Sequence, residues 1–243
     1  MPDWSVIAES LPAFLNGLRV TLQLMLIAVA TGFVLSIPLA MARVSRNRWL
    51  STPVFLFTYI IRGTPLLVQM FMVYHGLAQF EWMRESALWP FFKNAWFCAW
   101  LVFSLSTTAY TTEIFAGALR ETPAGELEAA QSLGLSSFDV YRRILWPGAL
   151  RRALPQYGNE VVMVMHSTAI ASTVTLVEVT RVARDVYYNH LSTTESFGVA
   201  AVIYFVLTFT LVGFFKLLER HFLRHLAPQA QAASAAAPAL ARA

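Results

Sequence analysis

The sequence predicts an all-α, integral-membrane bundle of about five transmembrane helices, with one structured polar loop on its basic side. Three observations carry that expectation. Hydrophobic residues make up 57% of the chain and charged ones only 13%. The charges cluster between long apolar runs instead of spreading as on a water-facing surface. Lysine and arginine collect on one side of the topology that these runs define.

A helix needs about 20 apolar residues to cross the hydrocarbon, and the candidate spans are residues 20–42, 54–80, 95–119, 153–176 and 197–218. Residues 2–16 read as a short amphipathic approach helix with Trp4 as an interfacial anchor. Asp3 and Glu9 precede the first apolar run and no basic segment does, so that run is expected to be retained as a span, not removed as a leader. Residues 1–226 therefore form a single transmembrane domain. The stretch 227–243, rich in Ala, Pro and Gln, reads as a disordered tail. Cys98, the one cysteine, lies inside the third span and reads as packing.

Orientation follows from the basic residues. Arg43, Arg46 and Arg48 follow the first span, Arg120, Arg142, Arg143, Arg151 and Arg152 flank the third and fourth, and Lys216, Arg220 and Arg224 follow the fifth. These fall on one side of an odd-span topology, which makes that side cytoplasmic, the N-terminus periplasmic and the C-terminus cytoplasmic. This asymmetry accounts for the net charge of +4. There is no interleaved basic and aromatic stripe of the kind that would bind nucleic acid. Five helices make a thin bundle, so a second copy or a homologous subunit is expected to complete any hydrophilic path.

The loop over 120–152 is patterned. Leu127, Ala130, Leu133 and Leu135, then Phe138, Tyr141, Ile144 and Leu145, recur at helical spacing. That predicts two short amphipathic helices broken at Gly134.

Polar residues inside the spans are the candidates for a site. Glu160 lies about 10 Å into the fourth span, where a carboxylate needs a cation, a watery cavity or a proton. It serves either as counter-charge to a cationic substrate or as partner to a helix-end arginine. Met163 and Ser167 share its face, with His166 beside them. Ser167 and Thr168 have a local alternative in bonding to helix carbonyls, and His166 in bridging two helices. The third span carries a hydroxyl-rich run in which Thr107, Tyr110 and Glu113 share a face, suited either to substrate contact or to helix packing. In the second span Arg62-Gly63-Thr64-Pro65 predicts a kink or a broken helix. Such a break exposes backbone dipoles to an anionic group, or else Arg62 caps a neighbouring helix. Gln69 is a weaker candidate nearby. No metal or nucleophile signature occurs, so no catalytic residues are expected.

At the polar loop the residues resemble a known pattern. Glu128, Ala129, Ala130, Gly134, Ile144 and Pro147, at their spacing, look like the EAA loop of permease subunits from bacterial ATP-binding-cassette importers, with Trp146 as the one departure from the usual leucine. FTYIIRGTPLLVQ, ALPQYGNEVVMVMHSTAIAS and RVARDV are similar to segments of polar amino-acid permeases, and the His166-Ser167-Thr168 run to the M subunits of the histidine, lysine, arginine and ornithine permease family and its opine relatives.

That resemblance implies an inner-membrane subunit that moves a basic amino acid or opine. It implies a separate ATPase dimer docked on the loop, a homologous Q-type permease subunit, and a periplasmic amino-acid-binding protein. It implies that this chain itself binds no cofactor, since the partner subunit uses the ATP. Two other classes remain compatible with the residues: a secondary transporter or channel using Glu113 or Glu160 as proton carrier, and a membrane scaffold that moves no solute.

Overall fold

The computed structural model describes residues 4–223, and every regular element among them is helical. The predicted tail over 227–243 lies outside the described residues, as does the side chain of Trp4.

The first helix, α1 (Trp4–Val44), is a single element of 41 residues, about 60 Å long. Over its described residues, 4–16, the separate approach helix expected over 2–16 is thus absorbed into it. Asn16-Gly17 is a turn-like pair in sequence, but Phe14 is buried and Gly17 lies against a later helix, where a Cβ would come within 2.9 Å of Val182. Packing overrides the local punctuation.

Asn47 opens α2 (Arg48–Gly63) by accepting a hydrogen bond from the Trp49 backbone N–H. The run 54–80 then breaks where the sequence places a break. Pro65 pushes Thr64 out of the helical region, to ψ 139°, and α3 (Leu66–Phe71) begins a segment reaching Gln79 at 99° to α2. That segment passes through a π turn (Met72–Gly76) and a 3₁₀ turn (Leu77–Gln79) to two single-turn helices, α4 (Glu81–Arg84) and α5 (Trp89–Phe92). The second run is therefore a broken helix, as the Arg62-Gly63-Thr64-Pro65 pattern predicts.

Next comes α6 (Ala95–Arg120), N-capped by Asn94. It has 26 residues, about 39 Å, enough to cross the hydrocarbon. The patterned loop supplies α7 (Ala124–Ser132) and α8 (Ser137–Val140), as its spacing predicts. Gly134 sits between them at φ +71°, a left-handed conformation that favours glycine. Leu135 N–H donates to the Ala130 carbonyl and Gly134 N–H to the Gln131 carbonyl, the paired closure of a Schellman turn. Ser136 starts α8 by accepting from the Asp139 backbone N–H while its hydroxyl donates to the Asp139 carboxylate.

The second loop helix does not stop. It continues through a π turn (Tyr141–Leu145) into α9 (Trp146–Ser167). Nor is the fourth run helical to residue 176 as expected. After Ser167 it tightens to a 3₁₀ helix (Thr168–Val174) and ends at Thr175, φ +70°. Thr168 and Thr173 donate their hydroxyls to carbonyls three residues back, a local competition that favours the tighter turn.

The chain closes with α10 (Val179–His190), which the hydropathy pattern alone does not separate, and α11 (Thr193–Phe222). Glu178, fully buried, starts α10 by accepting from the Thr180 and Arg181 backbone N–H groups. It also accepts from the Tyr204 hydroxyl of α11 at 2.9 Å.

By length and apolarity, α1 and α11 qualify as spans alone, and the bent pairs over 48–79 and 137–190 qualify when each is taken together. The outer face of α11 is exposed through Val202, Phe205, Phe209 and Leu217, an apolar surface of the kind that hydrocarbon accommodates. The polar α6 lies inside, packed by α1, α2 and α9. Gly32 permits the closest approach, since a Cβ there would lie 2.6 Å from Thr107. Phe33 of α1, Phe115 of α6 and Tyr157 of α9 stack into one aromatic contact.

Candidate functional site

The break in α2, the polar face of α6 and one face of α9 enclose three adjoining spaces. The largest of these, about 500 Å³, runs from Glu121 and Arg152 at the loop end past Gly117 to Glu160 and Met163. A space of about 170 Å³ extends it past Tyr110 toward Thr107 and Ser167, and one of about 290 Å³ opens beside Arg43 and Thr58. Tyr110 borders all three.

Six of the predicted residues therefore meet here: Arg62, Thr107, Tyr110, Glu113, Glu160 and Ser167. Glu160, Met163 and Ser167 share the inner face of α9 as their spacing predicts. The carboxylate of Glu160 makes no hydrogen bond or salt bridge among the described residues. Arg62 stands on the α2 side of the same space, its guanidinium 5.0 Å from the centre of the Tyr110 ring. That contact leaves its N–H groups available for a carboxylate. The groove thus presents a carboxyl group without a hydrogen bond on α9 and an aromatic-backed cation, Arg62, at the end of α2, close enough to interact with it electrostatically.

His166 is not brought to this space. One position along the helix turns it about 100° from Ser167, and its Nε2 lies 2.9 Å from the Thr208 hydroxyl of α11. The interhelical alternative describes its position. Glu113 lines the groove, but its carboxylate is engaged: Arg43 Nε donates to it at 2.7 Å and the Thr58 hydroxyl at 2.8 Å. It ties α1, α2 and α6 together at the loop end. Among the α6 hydroxyls, Thr107 is buried with no hydrogen-bond partner among the described residues and borders the inner space.

The break beside Arg62 does not leave its carbonyls open. Gln69 donates its Nε2 to the carbonyls of Ile61 and Thr64 and to the Thr64 hydroxyl. The expected exposure of backbone dipoles to an anion is therefore closed by the side chain read as the weaker candidate. No sequence signal foretold this, because the three acceptors converge only once the 99° bend exists.

On the loop, Ala130 is buried, Ile144 is half-buried, and Glu128, Ala129, Gly134 and Pro147 are exposed. Leu133 and Phe138, on either side of Gly134, are 80% and 69% exposed. Two large apolar side chains projecting beside a rigid turn suit insertion into another protein. The loop is anchored to the bundle by Arg152, which donates to the Ala118 carbonyl and the Thr122 hydroxyl at the end of α6.

A helical membrane bundle with an internal polar groove and a projecting apolar loop has the architecture suited to passing a polar solute and docking a partner. The chain belongs to the binding-protein-dependent transport system inner membrane component family, whose model matches residues 32–224. It is 45% identical over 218 residues to a nopaline transport system permease protein of Agrobacterium fabrum, an alignment covering 89% of this chain and 90% of that one. It is 44% identical over 214 residues to a histidine/lysine/arginine/ornithine transport system permease protein of Escherichia coli, covering 88% and 90%. Among solved structures it superposes on an amino acid ABC transporter crystallised with histidines, with a TM-score of 0.81 and 28% identity over 91% of this chain and 99% of that one. A methionine ABC transporter in an inward-facing conformation, 17% identical, shares the fold at a TM-score of 0.74 over 86% and 96%. This is an inner-membrane, multi-pass permease of a family that works with a separate ATPase and a substrate-binding protein.

The geometry at Glu113 yields a stability prediction. Glu113→Gln should destabilise the purified complex by about 1.5–3 kcal/mol, the range for hydrogen bonds to charged groups, with the lower end expected because solvent reaches the pair. Adding Arg43→Gln should recover part of the loss. Thermal unfolding of the two variants is the measurement, and independent, additive effects would show that the pair does not act as a unit.

Proposed function

We propose that this chain forms half of a translocation path for basic amino acids or opines, imported at the expense of ATP hydrolysed by a separate subunit dimer. The observation that carries the reading is the groove lined by both Glu160 and Arg62, which interact across it without a direct hydrogen bond or salt bridge. An α-amino acid with a cationic side chain presents both charges that such a site lacks. Glu160 would take the ammonium or guanidinium group, Arg62 the carboxylate, and Thr107, Tyr110 and Ser167 would line the polar path. The names of the relatives support this substrate class.

Arg62, Gln156, Asn159 and Met163 are exposed along one side of the groove, so a second permease is needed to close it. We assign that role to a homologous Q-type subunit. We assign the N-terminus to the periplasm and the C-terminus to the cytoplasm, a reading that the positive-inside pattern supports. On that orientation the loop over 120–152 meets the ATPase, with Glu128, Ala129, Ala130, Gly134, Ile144 and Pro147 shaping it and Leu133 and Phe138 as its contacts. The helical path from α8 through the π turn into α9 would connect that contact to Glu160.

Glu160→Gln should lower uptake of arginine and lysine by about tenfold or more at limiting substrate, since a charge-assisted hydrogen bond contributes about 1.5–3 kcal/mol. Co-purification of the partners should be unaffected. Normal uptake by an assembled Glu160→Gln transporter would remove this carboxylate from the substrate path. Leu133→Asp, at an exposed position, should leave the permease folded but weaken retention of the ATPase; a variant complex that co-purifies and hydrolyses ATP normally would contradict docking at this turn.

A further inference from the structure

A second sizeable space lies on the opposite side of α9 from the groove. It holds about 540 Å³ between α9 and α11, with Phe33 of α1 and Phe115 of α6 at its floor. One end is shut by close packing. A Cβ on Gly158 would lie 2.8 Å from the Phe215 ring, and Tyr157 stacks edge-on with Phe215 beside it. Toward the loop end the walls are Leu150, Leu154, Leu218 and Phe222. The space is therefore an apolar slot, blind at its inner end.

Its one charged lining residue is Arg151, which is exposed and makes no salt bridge among the described residues. Arg151 lies on the first turns of α9, level with the last turns of the antiparallel α11, at the end of the bundle where the loop over 120–152 emerges. The neighbouring outer surface is apolar and exposed through Phe209, Phe214 and Leu217, so the slot is continuous with the surface that faces hydrocarbon. A long apolar slot with a lone cation at its interfacial end is complementary to a molecule with a long apolar tail and an anionic head.

We propose that this slot binds one acyl chain of an anionic phospholipid, with Arg151 holding its headgroup phosphate. The tail would pack against Leu150, Leu154 and Phe222, and Arg151 would make the selection against zwitterionic lipid. On the orientation proposed above this is the cytoplasmic leaflet, where anionic headgroups and basic side chains meet. The site does not depend on which solute the chain carries.

The test uses the assembled transporter in nanodiscs of phosphatidylcholine and phosphatidylglycerol in equal parts, with retained lipids counted by native mass spectrometry after release. The unaltered complex should retain phosphatidylglycerol in preference to phosphatidylcholine. Arg151→Gln should lower that preference by about fivefold, the contribution of a single basic residue near a membrane surface. Leu154→Trp, which fills the slot, should lower retention of both lipids. Unchanged preference in Arg151→Gln, unchanged retention in an assembled Leu154→Trp complex, or no retained lipid in the unaltered one would each overturn the proposal, the last indicating that a protein segment covers the slot. Arg151→Gln is a surface change that decides the matter even where Leu154→Trp fails to assemble.

Discussion

The constraint on which the rest of this structure depends is that α6 cannot face lipid. Between Ser104 and Glu113 it carries eight polar side chains within ten residues, and hydrocarbon offers those groups no partners. The bundle answers by wrapping α6 with α1, α2 and α9. Gly32 lets α1 come close enough to cover Thr107, while Thr108 returns its hydroxyl to the Ser104 carbonyl. What remains of the polar face, from Thr107 through Tyr110 to Glu113, becomes one wall of the groove. The same chemistry that forces α6 inward thus gives the molecule its only described polar passage, and the apolar α1 and α11 are left to meet the bilayer.

Charge is then distributed by role. Glu113 and Arg43 satisfy each other at the loop end and, with Thr58, join three helices, so neither is free for a ligand. Glu178 satisfies two backbone N–H groups and a tyrosine, fastening α10 to α11. Glu160 alone among these three carboxylates makes no direct hydrogen bond among the described residues, its charged neighbour being Arg62 across the groove, and it stands at the turn of α9 that the groove exposes. Its separation from the structural carboxylates gives the proposed substrate contact its force. Arg152 contributes at the other end by fastening the start of α9 to the end of α6, which ties the two helices that form the groove's walls where the loop leaves the bundle.

Much of this was legible in residue order. Arg62-Gly63-Thr64-Pro65 marked the break, because proline acts on the backbone wherever it stands. Gly134 marked the turn, because a left-handed residue between two amphipathic segments leaves few alternatives. The shared face of Glu160, Met163 and Ser167 followed from helical spacing alone. The failures have a different source. The continuity of α1 depends on Gly17 meeting α10, and the turn of His166 toward Thr208 depends on where α11 packs. The closure of the α2 break by Gln69 exists only after the chain has bent. The early end of α9 depends on threonine hydroxyls choosing local carbonyls over an extended helix. Each is a long-range or competitive outcome that periodicity does not encode. Glu178 was visible as a charge, but its burial required α11 to deliver Tyr204.

The central claim, that the groove between α2, α6 and α9 carries the substrate, is tested most directly by chemical access along it. Cys98 is the chain's single cysteine and is buried, which leaves a quiet background for a thiol introduced by Met163→Cys on the exposed stretch beside Glu160. In the assembled transporter with its binding protein and ATPase, a small water-soluble maleimide should label this position, and arginine or lysine should slow the labelling during turnover. A labelling rate indifferent to a transported amino acid at saturating concentration would contradict the account.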